Sequence, residues 1–256
     1  MIVLTVDQRG STYAADRVPE VLAELAELTR GHEGVVVPFE RTVGDEVQGI
    51  LAVGPAGAEL AVDIALHLLR DQGWSVGIGV GPVEGPLPTV SREARGFAFY
   101  RARDAVERAK TRGRGTSIAV EGPAPGPAEP DLAAEVEALL RLLAAIRARR
   151  TPQGWEVADT LATLEDKPGR QRIVAQSLEV SEQAVSQRVR AALWQEEVAV
   201  RPVAVRLLAE LSGSTREQPD AVSRPAAEAG NRRAKTTRAS GKHAETERAE
   251  TERAKS

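Results

Sequence analysis

The sequence predicts an α+β fold, in which helices lie on a mostly antiparallel sheet and are followed by an all-helical unit and a polar tail. Three observations predict it. Residues 1–120 alternate between short β-branched runs and segments with apolar residues at spacings of three and four. The stretch EGPAPGPAEP at 121–130 holds four prolines and continues neither a strand nor a helix. Beyond it, each periodic segment up to residue 211 reads as helix.

Five runs, IVLTV (2–6), GVVVPF (34–39), VQGILAV (47–53), SVGIGVG (75–81) and TSIAV (116–120), are bounded by Gly, Pro or charge and read as strands. Residues 17–31, 56–73 and 92–113 carry the helical period and end at Gly31, Gly73 and Gly113, as helices do. The resulting order, β-α-β-β-α-β-α-β, favours an α/β sandwich over a doubly wound parallel sheet. After the proline-rich linker, residues 131–150, 155–164, 169–180, 181–197 and 201–211 form a second, helical domain. Residues 212–256 are polar, net basic, poor in large apolar side chains and contain the repeat AETER AETER, so they are expected to be disordered.

Composition narrows the chemistry. The 256 residues are 42% hydrophobic and include no cysteine, which removes disulfides, thiol nucleophiles and cysteine-based zinc sites. His32, His67 and His243 lack metal-ligand spacing. No window approaches ~18 consecutive apolar residues, so a cytoplasmic protein with no membrane partner is expected. Net charge is -3, and only the tail is basic, which argues against general polyanion binding by the folded part.

The segment RTVGDEVQGI, 41–50, places Asp45 and Glu46 in the turn between the second and third strands, while Asp7 ends the first. If those strands are neighbours, Asp7 with Asp45 or Glu46 could hold Mg²⁺, a hard cation that needs few carboxylates when phosphate oxygens and water complete its shell. The backbone of QRGST, with Gly10, Ser11 and Thr12, could then face the phosphates, with Gly44 opening the hairpin. A polar turn beside an unrelated aspartate is the alternative. The glycines of GIGVG (77–81) alternate with Ile and Val inside a strand, so they let a helix or a ligand approach the sheet and do not form a phosphate loop.

VDQRGST, GDEVQG and the GIGVG strand together resemble the SatD-type family of bacterial proteins, cyclase-like in fold and in many members ending in a helix-turn-helix. GDEVQGIL is similar to the hairpin of the nucleotide cyclase fold, and ARDAVERAKTRGRG (102–115) resembles a helix of diguanylate cyclases. The resemblance covers roughly residues 1–120. It implies a ferredoxin-like, nucleotide cyclase-like sandwich with a metal at Asp7, Asp45 and Glu46 and nucleotide contacts at Gly10, Ser11, Thr12 and Gly44. Two departures argue against cyclisation itself. Val43 stands where the diguanylate cyclase motif has a glycine, and the first asparagine of the chain is Asn231, so the Asn/Arg pair of class III cyclases is missing.

RQRIVAQSLEVSEQAVSQRVRAALWQEE, 170–197, has the layout of a helix-turn-helix spanning 170–195. Ile173, Val174 and Leu178 form the apolar face of its first helix, Ala175 is the small crossing residue, Val180 plugs the turn, and Ser181 caps the second helix. Ala184, Val185, Val189 and Leu193 face inward. Gln183, Ser186, Gln187 and Arg190 are left outside, with Arg170, Arg172 and Arg188 nearby. These types suit base edges and phosphates of double-stranded DNA, and Ser181 lies at the same end. Glu179 occupies the turn position where glycine is usual. The run resembles the DNA-reading units of MarR-type regulators and sigma-factor region four, although helical hairpins also pack proteins together. The stripe Leu132, Val136, Leu139, Leu140, Leu142, Leu143 and Ile146 either completes a helical core or pairs two chains as a homodimer.

Two functions are therefore expected to compete. One is a DNA-binding regulator whose first domain is a sensor or dimerisation module, with Mg²⁺ and a nucleotide as possible ligands. The other is a nucleotide-processing enzyme that uses Asp7 and Asp45.

Overall fold

The computed structural model describes residues 1–113, 116–164 and 168–214; most of the expected tail, and His243, lie outside them. The chain runs β1 (Ile2–Gln8), α1 (Val18–Leu28), β2 (Val35–Arg41), β3 (Glu46–Leu51), α2 (Pro55–Leu68), β4 (Trp74–Val80), a short 3-10 turn (Ser91–Glu93), α3 (Phe97–Lys110) and β5 (Ile118–Glu121). Helices α4 (Leu132–Ala148), α5 (Pro152–Ala162), α6 (Arg170–Ser177), α7 (Glu182–Ala191) and α8 (Trp194–Ser214) follow. The fold is α+β, with a five-stranded mixed sheet in the order β2-β3-β1-β4-β5. β1 pairs antiparallel with β3 and β4, β2 pairs antiparallel with β3, and β4 pairs parallel with β5.

Helices cover both faces, which is why the central strands read as continuous apolar runs. On one face Ile2, Leu4, Val6, Val76 and Ile78 pack with Val21 and Leu25 of α1 and with Ala61 and Ile64 of α2. On the other, α3 lies directly on the strand backbone. A Cβ at Gly77 would sit 2.4 Å from the Ala102 carbonyl oxygen, and one at Gly79 would sit 2.2 Å from the Ala98 carbonyl oxygen. Buried Ala98, Ala102, Ala105 and Ala109 line the matching side of α3, so small residues on both partners permit the approach. The glycines of GIGVG thus admit a helix.

The proline-rich linker does not separate two cores. Val136, Leu140 and Leu143 of α4 and Ala204, Leu208 and Leu211 of α8 belong to the same buried cluster as β1 and α2, and the described residues fall in one compact unit. Glu137 fixes the join. It accepts from Arg108 at 3.1 Å, from Arg112 at 2.5 Å and from the Val120 amide at 3.0 Å. Burial alone would raise this carboxyl, but the two arginines and the amide hold it below its ordinary value. The stripe on 131–150 therefore completes a core, though Leu142 remains 51% exposed.

Helices α5, α6 and α7 build a separate cluster of Val157, Leu161, Val174, Ala175, Val185 and Val189, with Leu178, Val180 and Trp194 against it. Arg70, just beyond α2, joins it to the sheet unit by paired bonds to Asp159 at 3.0 and 2.7 Å, and stacks over Trp155 at 4.0 Å.

The C-terminal helices differ from expectation. The segments expected at 181–197 and 201–211 break instead at Leu193, whose φ of +50° is left-handed. α8 then runs unbroken from Trp194 through Pro202 to Ser214. Ser212 is fully buried and accepts from the Gly54 amide at 2.9 Å, so residues 212–214, expected to be disordered, instead end α8.

Candidate functional site

Two places collect the residues that the sequence singles out. The first is a cleft of about 500 Å³ at the C-terminal end of β1, walled by Asp7, Gln8, Arg9, Gly10, Ser11, Thr12, Asp45, Ser75 and Lys110. The sheet order explains it. β3 and β4 flank β1, Asp7 lies across from Glu46 and Ser75, and the β2–β3 turn brings Asp45 to the same end. Gly10, at φ +73°, turns the chain back, and its carbonyl accepts from the amides of Tyr13 at 3.0 Å and Ala14 at 3.1 Å. Arg9 anchors this turn by donating to Ser117 Oγ at 2.6 Å and to the Arg112 carbonyl at 3.3 Å.

Glu46 is not brought to this cleft. Its Oε1 accepts from Thr42 Oγ1 at 2.6 Å, and its Oε2 lies 3.9 Å from Arg103 Nη2, on a neighbouring cleft of about 490 Å³ shared with Gln48, Ser91 and Tyr100. Gly44, at φ +62°, shapes the hairpin but is not among the cleft walls. Among the described residues no group of three His, Asp or Glu is placed to hold a metal ion. Asp7 and Asp45 could thus supply two ligands at most, which suits Mg²⁺ sharing phosphate oxygens and water and does not suit an all-protein cage.

Lys110, from the last turn of α3, was not among the residues expected at this site. Its Nζ lies 2.8 Å from Asp7 Oδ2 and 2.7 Å from Glu107 Oε1. A signal existed, since Lys110 is the only lysine in the first 166 residues of an arginine-rich chain. Burial pushes the Asp7 carboxyl above its ordinary value; Lys110 opposes the shift, while Asp45 and Glu107 add to it. Burial alone would lower Lys110, but its bonds to Asp7 and Glu107 leave its ammonium with a raised pKa.

A carboxylate that binds its proton more tightly when folded than when unfolded costs stability once ionised. Asp7→Asn should therefore raise the midpoint of thermal unfolding at pH 7. The gain is present above the folded pKa and disappears as pH falls below the unfolded value near 3.8, where Asp7 is protonated in both states. Melting curves of both proteins between pH 3 and 7 check this.

The second place is the α6–α7 pair, where the sequence expects a helix-turn-helix. Ser181 Oγ accepts from the Ala184 amide at 3.1 Å, capping α7, and the Val180 amide donates to the Ala175 carbonyl at 2.9 Å across the turn. Gln183, Gln187 and Arg190, at i, i+4 and i+7, are exposed on one face of α7, with half-buried Ser186 beside them. Arg188 turns back to Glu156 of α5 at 3.4 Å and so leaves that outer face. Arg172 is exposed on α6, and Arg170 opens that helix.

Two expected core residues lie outside. Ile173 is 44% exposed, because Val174 and Leu178 hold the inward face of α6 and Ile173 lies about 100° around from Val174. Leu193 is 41% exposed; its left-handed backbone turns it outward, and Trp194 packs on the cluster instead. Glu179 adopts φ +52°, the conformation that glycine takes without penalty. Glu179→Gly should accordingly stabilise the chain by up to about 1 kcal/mol, measured by denaturant unfolding.

No family model, no curated protein and no solved structure matches this chain.

Proposed function

We propose that the protein is a DNA-binding transcriptional regulator in which α7 reads the major groove of double-stranded DNA and the first 120 residues serve as a sensor. The observation that carries this reading is the outer face of α7. Gln183, Gln187 and Arg190 lie in register on a helix capped by Ser181 and braced by α5 and α6. Gln and Arg pair bidentately with adenine and guanine edges, so this face has the donors and acceptors that sequence reading requires. A homodimer would let two such faces read two half-sites.

The cleft at Asp7 supports the sensor role. Asp7 and Asp45 would hold Mg²⁺ beside the Gly10–Thr12 turn, where the ion would supply positive charge for the phosphates of a nucleotide. The antiparallel order β2-β3-β1-β4 supports reading this part of the sheet as a ferredoxin-like, cyclase-like sandwich. A second reading, an enzyme acting on nucleotides, draws on the same two carboxylates and Lys110. Cyclisation gains no support, since Val43 projects from the hairpin at 75% exposure where the motif has glycine.

Selection of purified full-length protein against fragments of its own genome, with competitor DNA present, tests the proposal. Enrichment of a recurrent sequence is expected. Recovery no different from random DNA, together with nucleotide turnover in Mg²⁺ that Asp45→Asn abolishes, would favour the enzyme.

A further inference from the structure

The cleft carries a cation of its own. Lys110 bridges Asp7 and Glu107 at 2.8 and 2.7 Å, on the wall shared with Asp45 and the Gly10–Thr12 turn. The side chains of Asp7 and Lys110 are 14% and 34% exposed, so a competitor arriving from solvent can reach the pair. A bare divalent cation approaching Asp7 meets an ammonium already seated on that carboxylate. A bare polyphosphate approaching Lys110 meets the charges of Asp7 and Asp45. Only the two together satisfy both sets of groups.

Resting on the nucleotide reading of this cleft, we propose that Lys110 and a divalent cation compete for Asp7, so that the cation enters only with a polyphosphate whose oxygens take over Lys110. The lysine is suited to the exchange. Its four-carbon stem pivots from the last turn of α3, and Glu107, one turn back, keeps the ammonium at the cleft while it changes partners. The consequence is regulatory. Free divalent cation leaves the cleft alone, and the protein responds to metal-bound polyphosphate as a single ligand.

Equilibrium dialysis of the full chain with Mn²⁺ as the probe, with and without inorganic tripolyphosphate, tests this. Wild type should retain Mn²⁺ only when tripolyphosphate is present. Lys110→Met should retain it without the anion, about tenfold or more tightly than wild type, because Asp7 is then unpaired. Asp7→Asn combined with Lys110→Met should lose that retention, and Lys110→Arg, which keeps the charge, should behave as wild type and guard against a fold defect. Equal retention by wild type and Lys110→Met without the anion, or no gain by wild type from tripolyphosphate, overturns the competition. No retention by any variant under either condition removes the cation reading of the cleft itself.

Discussion

Gly79→Val is expected to leave the chain largely unfolded at 25 °C. A Cβ at Gly79 would lie 2.2 Å from both the Ala98 carbonyl oxygen and the Ala102 amide nitrogen, and both are backbone atoms of α3 with no side chain that could swing aside. Relief requires lifting the whole helix. Ordinary overpacking of a core costs about 1–3 kcal/mol, and here the clash is with backbone, so a loss beyond that range is expected against a total of about 5–15 kcal/mol for a typical domain. Even Gly79→Ala should lower the denaturant midpoint markedly. The effect reaches the cleft as well, because α3 carries Lys110, and a lifted helix takes the ammonium away from Asp7. Denaturant unfolding followed by circular dichroism checks this, and a wild-type midpoint for Gly79→Ala would contradict the close seating of α3.

Arg190→Ala should weaken binding to a selected duplex by about ten- to a hundredfold at physiological salt, the size of one lost bidentate base contact. Arg190 is exposed on the face of α7 that also presents Gln183 and Gln187. If Arg190 reads a base, the loss should be concentrated on the preferred sequence and should shrink toward nothing on random DNA. A uniform loss on all sequences, with the salt slope smaller by about one, would instead mark a phosphate contact. Arg92→Ala, on the 3-10 turn beside the second cleft, should leave DNA affinity unchanged. Competition titrations monitored by fluorescence anisotropy separate these outcomes.

The strands were legible because β-branched runs bounded by Gly and Pro have few other uses, and the hairpin turn followed from glycine and charge. Pairing of β1 with β3 then brought Asp7 and Asp45 to one end of the sheet. Glu46 lines the neighbouring cleft for a physical reason: adjacency in sequence does not ensure that two side chains share a cleft, and the Thr42 hydroxyl together with Arg103 holds it there. Lys110 was illegible as a partner of Asp7, since 103 residues separate them and only the packing of α3 on Gly77 and Gly79 brings them together. The linker misled for a related reason. Prolines do end a helix or strand, but nothing local to 121–130 reveals that Glu137 will be held by Arg108 and Arg112, or that Leu208 of α8 will close the same core. In the α6–α7 pair the small residue Ala175, the turn hydrophobe Val180 and the cap Ser181 all fall in register. The end of its second helix did not, because a left-handed Leu193 carries no sequence mark.

The most direct measurement is site-specific photocrosslinking of the full chain to the genomic duplex it enriches. A photoreactive side chain is placed at Gln187 on α7 or, as a control, at Tyr100 on the exposed face of α3. Crosslinks from Gln187 to bases within the recurrent sequence, with none from Tyr100, are the expected result. Crosslinks from Tyr100 and none from Gln187 would contradict the account, because DNA would then lie on the sheet unit and α7 would not be its reader.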